Sequence, residues 1–448
     1  MALKRLINLA GHLAPAQTAP MISDQKEEDS AQVDWTVAKI PTYDALPAFK
    51  NFPGCAWSVW GSEDQLGTVN LLTDKVVKAA ASEEIKLGRS VSLNWPLNFP
   101  EKPMFDRQTP QIDMKVREPQ DLGVRDDEIH INTQSGTQWD GMRHFPLLEH
   151  GVFYNKFSST RSTPLDSLPK GILPLPNPHQ IDPAHARIGI QNWATHGICG
   201  RGVLLDLVSY QTSLSANKTL PYDPWSSHAI TVPELEACAA AQGVKFRRGD
   251  ILLVRVGFIK KYYDASQPER DGLQGLQGQE TFAGIEQSED MKRFLWNNHF
   301  AAIASDQPAL ERWPPPEGTL HLHQTILGLW GMPIGEFFDL EKLSRVCAET
   351  GRYTFFFSSW PLNMSPSPQT LNLQMSTSES NTSVDWTTAT LPTYDDLPPF
   401  RNFPGCAWGV WGPEDQLGTI NLLTDALVKQ SASEEIRFVP LPFLEVLL

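Results

Sequence analysis

The sequence predicts an α/β domain, and two patterns predict it. Residues 202–208 (Gly-Val-Leu-Leu-Asp-Leu-Val) and 250–256 (Asp-Ile-Leu-Leu-Val-Arg-Val) are short, nearly continuous apolar runs, as expected of strands covered on both faces. Between and after them lie segments that carry helix signals. Thr231 and Glu234 form a Thr-x-x-Glu capping box, opening a helix through Ala237, Ala239, Ala240 and Ala241 that stops near Gly243. Residues 288–298 and 339–350 also read as helices, the second closed by Gly351 and followed by a strand over 353–357. Another helix starts near Thr73. Strand and helix in alternation imply an α/β domain, and 448 residues suffice to bury its core.

Composition narrows the partners. A formal net charge of -15 and no basic stripe argue against nucleic acid or an anionic membrane surface, because phosphate groups are held by clustered Lys and Arg. The expected partner is a small-molecule substrate. Cys55, Cys199, Cys238, Cys347 and Cys406 are scattered without a C-x-x-C pair, which reads as reduced thiols and a cytoplasmic location. No apolar run reaches the roughly 18 residues needed to span a bilayer. Residues 1–30 read as a disordered leader; its cations before the first acid, Asp24, give a faint mitochondrial alternative.

The chain also repeats itself. Residues 33–86 recur at 384–437 with 40 of 54 positions identical, including Pro41-Thr42-Tyr43-Asp44 and Asn51-Phe52-Pro53-Gly54-Cys55-Ala56-Trp57. Only the opening of the unit returns, so this is no solenoid. The expected organisation is a leader, a catalytic domain over 31–364, a Ser/Pro-rich linker over 365–383, and a partial duplicate over 384–448 that ends in an apolar tail. In the copied turn 60–67, Glu63 and Asp64 read as a solvated turn rather than as ligands. The glycines at 272, 275 and 278 lack a Lys-Ser/Thr ending and read as a flap rather than a phosphate cradle.

The densest chemistry lies in Asn132-Thr133-Gln134-Ser135-Gly136-Thr137-Gln138-Trp139-Asp140-Gly141-Met142-Arg143-His144-Phe145. One carboxylate, one imidazole and several amides in fourteen residues are more than a surface loop needs or a core tolerates. Asp140 and His144 are four apart, which places them on one face if the segment is helical. Glycines on both sides of Asp140 allow close backbone approach. Trp139 reads equally as a pocket wall for an aromatic substrate or as a packing residue. A second polar cluster surrounds His323 and Glu336. There is no Gly-x-Ser-x-Gly elbow, and Cys199 reads as a small buried thiol rather than a nucleophile.

The stretch from Gln134 to Asp140 and on through His144-Phe145 resembles the H-x-G-T-H-x-D-x-P-x-H signature of the cyclase family, which includes bacterial-type kynurenine formamidases and isatin hydrolases. The resemblance extends through 202–207, 249–256 and 323–340, and covers most of residues 34–362. It implies a swivelling β/β/α fold with a mixed sheet, a place in tryptophan catabolism and a homo-oligomer. It also implies a two-metal site, for which this chain keeps half the ligands. Asp140 matches the metal-bridging aspartate, His144 the histidine that gives and takes the proton, and His323 and Glu336 the downstream ligands. Glu336 lies one residue beyond the family spacing, and His321 is the alternative ligand if that alignment slips. Gln134 and Gln138 stand where the family has two histidines, and neutral amides are poor ligands for zinc. The expectation is therefore one divalent metal, Mn²⁺ or Zn²⁺, on Asp140, His323 and Glu336.

A single ion would polarise a carbonyl and bring the pKa of its water towards about 7. His144 and Asp140 are then the catalytic pair, while Gln134, Thr137, Gln138 and Trp139 bind substrate. The expected activity is hydrolysis of a carbon-nitrogen bond in an aryl formamide or cyclic amide. Two alternatives remain open at this stage: a metal-free lyase, isomerase or cyclase, and a non-catalytic binding or scaffold protein.

Overall fold

The computed structural model describes residues 33–116, 124–158, 187–274, 278–363, 369–371 and 389–438. The leader, the apolar tail and the middle of the expected flap lie outside these residues, as does most of the linker. The chain divides into two units, 1–38 and 39–448. In the first, residues 33–38 hold a turn in which the Asp34 carbonyl accepts from the amides of Val37 (3.2 Å) and Ala38 (2.9 Å). All that follows concerns the second.

Among the described residues seven strands build the main sheet: β1 (Gln138–Asp140), β2 (Ile198–Asp206), β3 (Ile251–Arg255), β4 (Ala302–Ser305), β5 (Ile334–Glu336), β6 (Thr354–Ser359) and β7 (Gln369–Leu371). Their spatial order is β6-β2-β3-β4-β5-β1-β7. The central four, β2 to β5, are parallel. β6, β1 and β7 are antiparallel to their neighbours, so the sheet is mixed as expected. Every residue of β3 and β4 is buried, which is why these strands lack polar alternation. β7, within the expected linker, pairs its backbone antiparallel with β1 at the sheet edge.

Local signals place the helices. Both halves of the capping box at Thr231 and Glu234 form, opening the helix Val232–Ala241. Ser288 caps Glu289–Asn297 by accepting from the Met291 amide, and Glu341–Thr350 ends at left-handed Gly351. One boundary moves. Asp206 accepts from the Ser209 amide at 2.9 Å and starts the helix Leu207–Leu214, so the strand expected to reach Val208 stops two residues earlier. Among the described residues no helix is long and apolar enough to cross a membrane, and all five cysteines are free thiols.

The first copy of the repeat lies against this domain. Trp57 Nε1 donates to the Gly328 carbonyl (2.7 Å), Trp330 Nε1 to the Gly54 carbonyl (2.8 Å) and Thr68 Oγ1 to the Ala301 carbonyl (2.7 Å). These bonds brace Gln324–Leu329, a turn of π-helix whose N-cap is His323. Asp64 is a structural hub rather than a solvated acid, for it accepts from the Gly67 amide, Asn70 and the Tyr154 hydroxyl.

Candidate metal centre

The polar stretch is built outward from a turn. The Asn132 side chain accepts from the Gln134 amide (2.9 Å), and a Cβ at Gly136 would sit 3.0 Å from the Phe99 carbonyl, so the chain runs close to its neighbour there. Thr137 Oγ1 accepts from the Trp95 amide (2.7 Å) and donates to the Phe337 carbonyl (2.6 Å). With these bonds its hydroxyl joins three segments. β1 follows, and alternation along the strand sends Gln138 and Asp140 to one face and Trp139 to the other. Trp139 is wholly buried, donates from Nε1 to Ser359 Oγ (2.9 Å) and packs on Phe338 and Phe357. Of the two readings open for Trp139, the structure shows packing. Because Asp140 ends a strand and the His144 amide closes a turn on Gly141, the two do not share a helical face.

Glu336, at the carboxyl end of β5, is paired in register with Gln138, and Asp140 with Ile334. Both carboxylates therefore lie on the same face of the sheet, diagonally across the β5–β1 pair. His323 closes the group from the π-helix, its Nε2 lying 3.4 Å from Glu336 Oε1 and 3.7 Å from Asp140 Oδ2. One donor atom from each of Asp140, His323 and Glu336 lies within 4.8 Å of the others, and all three residues are buried. Among the described residues, Asp140 Oδ2 has no hydrogen-bond partner. An oxygen-nitrogen-oxygen set with an unpaired carboxylate oxygen fits one divalent ion. His321 stands apart, stacked on Trp313 at 5.2 Å and facing Phe145.

The two glutamines orient the carboxylates. Gln134 Nε2 donates to Asp140 Oδ1 (2.7 Å), and Gln138 Nε2 donates to Glu336 Oε2 (2.7 Å). Gln134 Oε1 is engaged by Arg107 Nη2 (2.7 Å), whereas the buried Gln138 Oε1 has no partner. Two residues escaped the sequence reading. Arg107 carried no signal, as it sits far from the signature in a polar loop. Glu311, wholly buried, places Oε1 2.5 Å from His323 Nδ1. Its only trace in the sequence was an acid a few residues after the apolar strand 302–305, following Asp306.

Electrostatics divide the site. Burial pushes the His144 imidazole down to about 4, against the pull of Asp140, so it is neutral near pH 7. Burial also favours a neutral His323, but Asp140, Glu311 and Glu336 outweigh it and hold that ring protonated well above the usual histidine range. Burial alone would raise Asp140; His144, His323 and Arg107 reverse this and keep it below the ordinary range. Glu336 is pushed up to about 7 by burial and by the nearby Asp140. The approach is aromatic. Half-buried Phe105, Trp313, His321 and Phe145 follow one another at 5.2–5.4 Å and end beside His144. A cavity of about 170 Å³ adjoins Arg107, lined also by Lys102, Met104, Leu273 and Glu280.

Comparison with known proteins gives these shapes a context. The family model described as "Putative cyclase" matches residues 90–312. A crystal structure described as a novel cyclase is 28% identical, with a TM-score of 0.58, and the match covers 71% of this chain and 95% of that one. Isatin hydrolase A from Labrenzia aggregata, solved with benzyl benzoate, is 11% identical with a TM-score of 0.40, covering 63% of this chain and 90% of that one. Isatin hydrolase A from Ralstonia solanacearum is 12% identical, also with a TM-score of 0.40, covering 63% and 89%. No curated protein matches significantly.

Proposed function

We propose, for a chain that belongs to the cyclase family, a hydrolase that uses one divalent metal to open the carbon-nitrogen bond of an aryl formamide or cyclic amide. The observation that carries this reading is the buried Asp140-His323-Glu336 group with its unpaired carboxylate oxygen, set beside a neutral histidine. An ion held there supplies a Lewis acid for the carbonyl and for water.

The chain's own residues do the rest. His144, unprotonated at neutral pH and 6.3 Å from His323 between ring centres, accepts the proton of attacking water and returns it to the departing nitrogen. Gln138 Oε1, buried and unpaired, is the acceptor for a substrate N–H. The row from Phe105 to Phe145 takes the aryl ring that Trp139 cannot reach. His323 Nε2 must release its proton to bind a cation, so affinity falls as pH falls.

The test combines metal analysis with turnover of N-formylkynurenine and isatin. Glu336→Gln should lose both ion and activity, whereas Gln134→Ala should keep the ion. His144→Ala should retain the metal and lose about 10²- to 10⁴-fold in rate. Equal metal loss in Glu336→Gln and Gln134→Ala would show the one-ion assignment to be wrong. Full activity without any ion would instead support a metal-free lyase, isomerase or cyclase that works through Asp140 and His144.

A further inference from the structure

Glu311 belongs to no part of the reaction described above, yet it is among the most completely enclosed charged groups in the protein. Its carboxylate is inaccessible to solvent. Leaving an ionised carboxylate in a protein interior is costly unless each oxygen is satisfied. Here both are. Oε1 accepts from the His323 amide (3.1 Å) and faces His323 Nδ1 (2.5 Å), while Oε2 accepts from the Leu322 amide (2.9 Å) and from Gln287 Nε2 (2.7 Å). Gln287 is itself fixed, because the same Nε2 donates to the Arg312 carbonyl at 2.6 Å. Residue 311 is further held by a parallel bridge to Ile285, so the carboxylate is delivered from rigid backbone.

The consequence lies on the other side of the ring. To hold an ion through Nε2, which lies 3.7 and 3.4 Å from the Asp140 and Glu336 oxygens, the His323 ring gives up the proton there, and the carboxylate facing Nδ1 keeps the one that remains. The two amide bonds at 322 and 323 fix the backbone beneath the ring, so Glu311 sets both the tautomer and the angle. We propose that Glu311 is the positioning residue of the metal centre, committing His323 to bind through Nε2, with Gln287 as its support. Oriented in this way, a ligating imidazole binds more tightly than one free to turn or to change tautomer. The proposal rests on the one-ion reading above and names a residue that reading does not require.

The test is metal affinity of the full chain, measured by calorimetry with Mn²⁺ and Zn²⁺ separately, alongside ¹⁵N chemical shifts of the His323 ring and the thermal midpoint of each variant. Glu311→Gln should bind about 10- to 100-fold more weakly while still folded at the assay temperature, and the Nδ1-protonated pattern of His323 in the Zn²⁺-loaded protein should become a mixture. Gln287→Leu should show the same changes to a smaller degree. Glu311→Asp, which keeps the charge on a shorter arm, should fall between wild type and Glu311→Gln and serves if the latter fails to fold. A Glu311→Gln protein with a lower midpoint but wild-type affinity and shifts would overturn the proposal, since that is the outcome of a merely structural carboxylate. The two failures are distinct: if Glu336→Gln loses the ion and Glu311→Gln does not, only this inference falls. If wild type takes up neither metal, the one-ion reading falls and carries this inference with it.

Discussion

Residues 39–84 and 390–435 are nearly the same sequence in two settings, and the difference separates what a segment does alone from what a domain makes it do. Locally they agree. The 3₁₀ turn at Tyr43–Ala45 returns at Tyr394–Asp396, the Phe49–Phe52 bridge returns at Phe400–Phe403, and the Phe49–Trp57 ring pair at 4.4 Å returns at Phe400–Trp408 with the same separation. Asp415 repeats the bonds of Asp64 to the following amides and asparagine. Burial is where they part. Tyr43, Phe52 and Val69 are 3%, 1% and 0% exposed, whereas Tyr394, Phe403 and Ile420 are 63%, 66% and 52% exposed. The domain has one face that receives this segment, and the first copy fills it. Turns and caps therefore persist where Tyr394, Phe403 and Ile420 stay exposed and the copy touches the rest of the chain through contacts such as the Arg89–Asp425 pair (3.9 Å), while the burial of these apolar side chains is realised in the first copy.

Twin substitutions test this directly, read by denaturant unfolding in dilute solution and by native-state hydrogen exchange. The largest contrast is expected between Phe52→Ala, at about 3–5 kcal/mol of lost stability for a buried ring, and Phe403→Ala, at no more than about 0.5 kcal/mol. Equal losses would mean that the second copy is as well packed as the first. Next comes Gly67→Ala. A methyl there would lie 2.1 Å from the Gly331 carbonyl oxygen at a φ of 60°, so overpacking adds about 1–3 kcal/mol to the backbone strain. At Gly418, with φ 58° and open space around it, only strain of about 1 kcal/mol remains. The smallest effect should be the same in both copies. Thr73 and Thr424 each accept the amide three residues on, and replacing either by Ala should cost its own helix about 1 kcal/mol. A cap that mattered only in the first copy would show that tertiary packing, not the cap, starts the helix.

The candidate metal centre divides along the same line. Asp140, His323 and Glu336, which the fold brings together, were legible because they stand in two polar clusters, the carboxylates beside Gly141 and Gly335, in a chain with few such clusters. What spacing did not show is which side chains are engaged elsewhere: the Thr137 hydroxyl joins Trp95 to Phe337 and Trp139 packs on Phe338 and Phe357. The aromatic row of Phe105, Trp313, His321 and Phe145, which we propose takes the aryl ring, is gathered by the fold from three distant segments. Arg107 and Glu311 could not be found from spacing at all, since each acquires its role from a partner 12 or more residues away.

By itself the sequence determined the alternation of buried strands and capped helices, the turns that both copies share, and the chemical types available to the site. These depend on interactions within a few residues, which any chain with the same local order of residues makes. Only the tertiary structure decided which face of β1 meets Glu336 and His323, which oxygen of Asp140 is left unpaired, and which copy of the repeat is buried. Those outcomes depend on contacts between segments far apart in the chain, and burial raises or removes the value of each polar group according to the partner it finds.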